Sequence, residues 1–280
     1  GFFDMLTMIE VLKAILFGVV EGITEWLPIS STGHMILLDE FVKLNVSKEF
    51  LDLFLVVIQL GAILAVVVIY WNKLIPLSTK HGLHISRRKC KMWVKIIVAS
   101  IPAGVVGILW DDVFTKYFYN YQTVAIMLIL VGVVFIIIER SNKNKIAKID
   151  SIDDISYGQA FLIGVFQMIA AIFPGTSRSG STIVGSLMLG ISRTAAAEFT
   201  FFLAVPAMFG GSAIKILKYS GGFNSAEVAL LAIGMIVAFV LSIIAIKFLM
   251  SYIKKHDFKV FGWYRIILGI AVIGYFLAAR

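Results

Sequence analysis

The chain is poor in the residues that most soluble enzymes use for catalysis and for covalent cross-linking. Its single cysteine, Cys90, excludes an intramolecular disulfide. Only 15% of its 280 residues are charged, and only four are histidine. There is no Walker-type glycine-lysine loop, no dinucleotide fingerprint and no zinc-type histidine spacing, so the familiar nucleotide and zinc sites are excluded. The N-terminus lacks the features of a cleavable signal peptide, and Gly1 to Asp4, which precede Met5, are interpreted as an expression remnant.

Apolar residues dominate instead, and they come in long runs. They make up 60% of the chain, including 22 phenylalanines. A helix needs about 20 mostly apolar residues to cross a bilayer. The runs predict an all-α integral membrane protein that forms a single membrane domain over residues 1–280, with six transmembrane helices near 51–71, 93–110, 121–139, 196–215, 226–250 and 262–279.

One pattern occurs twice, about half the chain apart. Residues 18–34 read GVVEGITEWLPISSTGH and residues 164–180 read GVFQMIAAIFPGTSRSG. Each opens on Gly-Val, reaches a proline ten residues later (Pro28, Pro174) and continues into Ser, Thr and Gly, which interrupt a helix. We call residues 28–34 the first break and residues 174–181 the second break. Paired interruptions in two halves of a membrane protein predict a site where the halves meet.

The placement of basic residues predicts the topology. Lysines and arginines concentrate in four loops, around 73–95, 140–148, 193 and 254–259, which the positive-inside rule places in the cytoplasm. They lack interleaved aromatic residues, so a nucleic-acid surface is disfavoured. With six crossings, 8–43 and 157–190 must then be re-entrant hairpins. We therefore predict two inverted repeats, about 5–140 and 150–280, with both termini outside.

The first repeat carries acids and hydroxyls. Glu21 and Glu25 lie one helical turn apart on one face, and intramembrane carboxylates are costly enough to indicate function. After them the first break begins a new helix, whose free amides attract anions, above all phosphates. Its polar segment is predicted to bind substrate and to carry reactive groups, and consists of Ser30, Ser31, Thr32, Gly33 and His34.

The second repeat supplies the positive charge. Gln167 takes the place of Glu21, and Ala171 that of Glu25. Arg178 suits a phosphate because its planar guanidinium donates two parallel hydrogen bonds. With Gln167, the predicted substrate-binding groups around it are Thr176, Ser177, Ser179 and Gly180, with Ser181 next to them.

Together the two breaks predict chemistry on a phosphorylated, membrane-embedded substrate. Ser31 is favoured as the nucleophile, with His34 as its acid-base partner. Two alternatives remain: His34 attacks while serine binds phosphate, or a water attacks directly. A secondary transporter or lipid flippase would have the same inverted-repeat architecture, although it would not need a nucleophile.

At these residues the chain resembles the undecaprenyl-pyrophosphate phosphatase family, also called BacA. Glu21-Gly-Ile-Thr-Glu25 is similar to that family's acidic motif, and the second break to its second motif. The stretches VVIQLGAILAVV at 56–67 and SRTAAAEFTFFLAVP at 192–206 also fit, so the similarity covers nearly the whole chain.

The resemblance implies a hydrolase of the bacterial plasma membrane that converts undecaprenyl pyrophosphate to undecaprenyl phosphate and inorganic phosphate. It further implies recycling of the lipid carrier for peptidoglycan synthesis, bacitracin resistance on overproduction and an extracytoplasmic site. Dependence on a divalent cation is implied as well. Mg²⁺ or Ca²⁺ suits carboxylate ligands, so we expect Glu21 and Glu25 to hold the ion against the pyrophosphate, or one of the two to act as general base. Expected partners are the polyprenyl pyrophosphate and membrane lipids, with a homodimer left open.

Overall fold

A computed structural model describes residues 8–279, and within them nearly all regular structure is helical. The only strands among these residues, Leu77–Ser78 and His84–Ile85, form a two-stranded antiparallel ribbon, and Ile152–Asp154 form a 3₁₀ turn. The helices are α1 Met8–Thr24, α2 Ser31–Phe41, α3 Lys48–Ile69, α4 Trp71–Leu74, α5 Arg87–Phe118, α6 Tyr121–Asn142, α7 Tyr157–Ile172, α8 Arg178–Met188, α9 Arg193–Lys218, α10 Ser225–Tyr252 and α11 Lys259–Ala278.

Six of these helices, α3, α5, α6, α9, α10 and α11, are long and apolar enough to cross a membrane. They confirm the six predicted spans and the all-α membrane class. The helices extend beyond the predicted limits, most of all α5, which runs over 87–118 where 93–110 was expected. Hydropathy marks only the apolar part of a helix, whereas the backbone hydrogen bonds continue into its polar ends. The interpretation of Gly1 to Asp4 concerns residues outside the described part of the chain.

Both predicted breaks are present, and they have the same local structure. Ser30 and Ser177 cap the helices that follow, with φ of 71° and 72°. Each serine hydroxyl accepts a hydrogen bond from the amide of a glycine three residues later, Gly33 and Gly180, at 3.1 and 3.0 Å. The helices beside the breaks have 17, 11, 16 and 11 residues, fewer than a full span needs. Their re-entrant placement in the bilayer stays a prediction.

The helix before each break packs against a long helix of the other half of the chain. Helix α1 lies on α10, and α7 lies on α5. Small residues allow this close approach. A Cβ atom added at Gly18 would lie 2.8 Å from the carbonyl oxygen of Gly234, and one added at Gly164 would lie 2.3 Å from that of Ala99. The two contacts are alike in the two halves of the chain. The boundaries and the inversion of the predicted repeats remain predictions.

Helices α6 and α11 pack together by the same means. A Cβ at Gly132 would lie 2.6 Å from the Gly262 carbonyl oxygen, and one at Gly262 would lie 2.7 Å from that of Gly132. This contact brings the beginning of α11 next to the middle of α6. It places two α11 side chains, Tyr264 and Arg265, beside the breaks.

Candidate active site

The two breaks meet in one cleft of about 220 Å³. It is lined by Glu25, Ser31, Thr32, Gln59, Ala170, Pro174, Gly175, Ser177, Arg178, Ala207 and Met208. Larger cavities of about 770 and 890 Å³ lie among the basic loops and include none of the predicted site residues. The small cleft is therefore the site that the sequence pattern predicts, since both breaks contribute to it.

Glu25 is the residue that joins the two halves of this cleft. Its Oε2 accepts a hydrogen bond from the Ser31 hydroxyl at 3.0 Å. Its Oε1 lies 3.3 Å from Nη2 of Arg178, in an ion pair that is mostly buried. One carboxylate thus holds the hydroxyl of the first break and the guanidinium of the second.

Arg178 is fixed by three neighbours at the first residue of α8. Besides Glu25, its Nη1 donates to the Thr200 carbonyl oxygen at 2.7 Å, and its guanidinium carbon lies 5.9 Å from the centre of the Trp26 ring. Its Nε is buried and has no acceptor in the described part of the chain. A buried donor without an acceptor is costly, so the guanidinium keeps capacity to bind an additional anion.

Glu21 lies one turn before Glu25 and is 2% exposed. Its Oε1 has no hydrogen-bond partner among the described residues, and neither does Oε1 of Gln167, its counterpart in the second repeat. No group of three or more His, Cys, Asp or Glu side chains suited to a metal occurs between residues 8 and 279. The two carboxylates fit a Mg²⁺ or Ca²⁺ ion only if substrate phosphate oxygens complete its coordination.

His34 lies in the first turn of α2 but does not line the cleft. Its Nδ1 is 2.7 Å from the Ser30 carbonyl oxygen, and its Nε2 is 2.6 Å from the Tyr264 hydroxyl, whose ring stacks on the imidazole. The Ser31 hydroxyl donates to Glu25, so the favoured Ser31–His34 pair is not formed in this structure. Although the two residues are only three apart, their side chains leave the helix toward different neighbours.

Only some of the remaining predicted hydroxyl residues line the cleft. Thr32 and Ser177 line the cleft. Thr176 and Ser181 donate to carbonyl oxygens of their own segment, at 2.7 and 3.2 Å. Ser179 is buried and lies 3.1 Å from the Ser177 hydroxyl, which places it behind that cap.

Sequence reasoning missed four residues at the site. Gln59 lines the cleft, and Thr200 binds Arg178 through its carbonyl oxygen. Tyr264 contacts His34, and Arg265 binds backbone carbonyls of both breaks. Gln59 and Arg265 carried a readable signal, because each is an isolated polar side chain inside a run that was predicted to span the membrane. The other two contacts join segments far apart in sequence and left no local pattern.

Comparison of the sequence with known proteins identifies similar proteins and a family. The chain is 63% identical to an undecaprenyl-diphosphatase of Desulfitobacterium hafniense, with 98% of each chain covered. It is 62% identical to undecaprenyl-diphosphatase 1 of Clostridium acetobutylicum, over 96% of this chain and 98% of the relative. It is 58% identical to an undecaprenyl-diphosphatase of Enterococcus faecalis, over 96% and 98%. The sequence model of the family described as bacitracin resistance protein BacA matches residues 14–271, so this chain belongs to the BacA family.

Proposed function

We propose that this protein is a membrane-embedded phosphatase that hydrolyses undecaprenyl diphosphate to undecaprenyl phosphate and inorganic phosphate. The observation that carries the proposal is the Glu25 carboxylate, which binds the Ser31 hydroxyl and the Arg178 guanidinium in one cleft. These are a nucleophile, a base and an anion-binding group within contact of one another. The names of the similar proteins supply the substrate.

The contacts support a reaction in two steps. The Ser31 oxygen attacks the terminal phosphorus while its proton passes to Glu25, to which the hydroxyl is already bonded. The bond between the terminal phosphorus and the bridging oxygen breaks, and undecaprenyl phosphate leaves. Water then attacks the phosphoserine, which releases inorganic phosphate and restores the serine hydroxyl.

Arg178 changes partners in this scheme. In the structure its guanidinium forms an ion pair with Glu25. A bound diphosphate carries more negative charge than one carboxylate and competes for the guanidinium. Substrate binding therefore draws Arg178 away from Glu25 and frees the carboxylate to accept the serine proton.

A divalent cation belongs to the proposal as well. Glu21, with its unpartnered buried oxygen, and Glu25 would hold Mg²⁺ or Ca²⁺ together with the diphosphate. Such an ion, when bound, neutralises charge on the phosphate groups. The Ser31 hydroxyl donates to Glu25 and not to Glu21, so we assign proton transfer to Glu25 and only the ion to Glu21.

The cellular setting follows from the same proposal. The site opens to the extracytoplasmic side of the bacterial plasma membrane, both termini lie outside, and the product returns to peptidoglycan synthesis. Overproduction of the enzyme gives bacitracin resistance, in agreement with the name of its family. The distribution of basic loops supports this orientation.

Phosphate release by the purified protein from undecaprenyl diphosphate in detergent tests the function. We expect turnover that stops with a chelator and resumes when Mg²⁺ or Ca²⁺ is restored. Glu25→Gln removes the base and should abolish turnover, while Glu49→Gln, at an exposed carboxylate in the first turn of α3, serves as the matched control. After reconstitution into liposomes, movement of labelled lipid between leaflets without phosphate release would support the flippase alternative. An active Glu25→Gln variant would remove Glu25 from the mechanism.

A further inference from the structure

Arg265 is a charged residue with no exposed surface, inside a helix that spans the membrane. None of the carboxylates in the described residues forms an ion pair with it. Its guanidinium instead lies within hydrogen-bond distance of five backbone carbonyl oxygens: Leu128 at 3.3 Å from Nε, Pro28 at 3.2 Å from Nη1, and Met127 at 3.2 Å, Gly175 at 2.9 Å and Thr176 at 2.9 Å from Nη2, whose two hydrogens the last three oxygens share. Burial of a charge without an ion partner is costly, so these hydrogen bonds to peptide groups must offset the cost.

The five carbonyl groups belong to three separate segments. Met127 and Leu128 lie in the middle of α6, Pro28 lies in the first break, and Gly175 and Thr176 lie in the second break. One planar group therefore holds both breaks against the same helix. Only arginine has five N–H donors in a rigid fork, and a lysine ammonium could reach a subset of these oxygens.

Arg265 lies directly behind the turn that carries Arg178. A Cβ atom added at Gly180, in the first turn of α8, would lie 3.1 Å from Nη1 of Arg265. The glycine leaves the space that the guanidinium occupies. The position of Arg265 is thus linked to the position of the first turn of α8.

The contacts also orient a backbone amide. The Thr176 carbonyl oxygen points at Arg265, and in a trans peptide the N–H of the next residue points the opposite way. That residue is Ser177, which lines the cleft. Its amide donates to no acceptor in residues 8–279, so it is free to bind an anion.

We propose that Arg265 is a positioning residue, which fixes the two breaks relative to each other and aims the Ser177 amide into the cleft. The inference rests on the proposed function, since it assigns the amide to the phosphate of the substrate. Arg265 does not touch the cleft, and acts through Pro28, Gly175 and Thr176. Displacement of reacting groups by about 1 Å can cost about 10²-fold in rate, which sets the size of the expected effect.

The first test compares Arg265→Lys with Arg193→Lys. Arg193 is a matched control because it is a half-buried arginine at a helix start, bonded to the buried Glu139 at 3.0 Å and absent from the cleft. We expect kcat of Arg265→Lys to fall about 10²-fold, with KM and the folded fraction close to those of Arg193→Lys. Equal kcat values for the two variants, or a loss of kcat no larger than the loss of folded protein, would overturn the proposal.

The second test restores the missing group. Arg265→Ala leaves a cavity in the shape of the side chain, and free guanidinium at millimolar concentration should raise its kcat at least about tenfold, because the ion offers the same donors. Sodium chloride at the same concentration should have no effect, nor should guanidinium on Arg193→Ala. Equal activation by both salts would show that the arginine acts through its charge alone and would contradict the assignment.

The third measurement does not depend on activity. Hydrogen exchange in detergent should show more deuterium uptake in residues 25–33 and 173–182 of Arg265→Lys than of Arg193→Lys, with other segments equal. If the wild-type protein released no phosphate but this local change appeared, the proposed function would fail while the tie between the breaks would stand. Unchanged exchange at both breaks would refute the tie.

Discussion

At the scale of single residues, the site depends on one carboxylate that has two partners. Glu25 contacts Ser31 from the first break and Arg178 from the second, although Glu25 and Arg178 are 153 positions apart in the sequence. A carboxylate that accepts from a hydroxyl and an arginine is held in one orientation. The orientation of the carboxylate toward the Ser31 hydroxyl is therefore set before substrate binds.

The nucleophile is the first prediction at this scale. Rapid quenching with substrate labelled in its terminal phosphate should leave acid-stable label on Ser31, because the bond to Glu25 prepares that hydroxyl for attack. His34 has both ring nitrogens within 2.7 Å of other groups and lies outside the cleft.

Acid-labile but alkali-stable label on His34 would reverse this assignment. Absence of label on either residue would favour direct attack by water. Ser47→Ala, which removes a hydroxyl at the start of α3 and away from the cleft, controls for nonspecific loss of label.

Arg178→Lys is the second prediction. Lysine keeps the charge but lacks the planar fork that lets Arg178 keep its bond to the Thr200 carbonyl oxygen while it exchanges Glu25 for a phosphate. In related phosphoryl transfer an arginine contributes about 10³–10⁵ in rate, and we expect kcat to fall by at least about 10²-fold. A steady-state assay on folded, purified protein decides it, and full activity would indicate a purely electrostatic role.

Sequence could predict these residues but not their partners. Glu25, Ser31 and Arg178 stood out because charged and hydroxyl groups are costly inside apolar segments. Which hydroxyl would bond to which acid depends on rotamers and on helix packing, and neither is visible in a linear pattern. For that reason the sequence favoured the nearest histidine, three residues away, as the partner of Ser31, while the structure pairs that serine with Glu25.

At the scale of elements, the breaks work because helix ends and glycines occur at matching points. Both caps have positive φ, a conformation that costs a serine roughly 1–3 kcal/mol and that the surrounding packing must enforce. The result is two helix starts that both border the cleft. Pro28 and Pro174 made the breaks predictable, whereas the left-handed serines had no signal of their own.

Helix packing gives the third prediction. Gly164→Ala places a methyl group 2.3 Å from the Ala99 carbonyl oxygen, so α5 and α7 must separate. We expect a loss of about 1–3 kcal/mol in the free energy of unfolding. Gly104→Ala in α5 is the control, because nothing lies within 4 Å of its added Cβ.

The Gly104→Ala control should have an unchanged free energy of unfolding or one higher by about 0.5–1 kcal/mol, since alanine is more stable than glycine inside a helix. Unfolding by sodium dodecyl sulfate in mixed micelles measures both variants. Equal stability of the two would mean that α5 and α7 do not approach as closely as described.

At the scale of the whole molecule, the orientation in the membrane is the fourth prediction. Cys90 lies at the start of α5, beside the basic loop predicted to be cytoplasmic. A maleimide that cannot cross membranes should label it only after cells are permeabilised. Gly222→Cys on a Cys90→Ser background tests the opposite side, since Gly222 is exposed between α9 and α10 and has room for a side chain.

In intact cells we expect the Gly222→Cys variant to be labelled and Cys90 of the parent protein to be protected. The reverse pattern would invert the protein and place the cleft on the cytoplasmic side. Labelling of both proteins in intact cells would place both positions outside and contradict the three crossings, α5, α6 and α9, predicted between them.

The number of spans was predictable from the lengths of the apolar runs, because the thickness of the bilayer sets how long a spanning helix must be. The assembly of the halves was not, since α6 and α11 meet through Gly132 and Gly262, and Arg265 uses that approach to reach both breaks. An arginine inside an apolar run could be recognised from the sequence as a candidate functional residue. Its five acceptors are backbone atoms, which no sequence pattern specifies.

The packing of α1 on α10 has a consequence for how the protein is made. Gly18 leaves the ribosome long before Gly234, and at 5–20 residues per second the delay is roughly 10–40 s. Throughout that time α1, which carries Glu10 and Glu21, lacks the helix that later covers its face of small residues. The close packing of Gly18 and Gly22 on α10 can therefore form only late in synthesis, and a chain that ends before α10 lacks the surface that covers these two glycines.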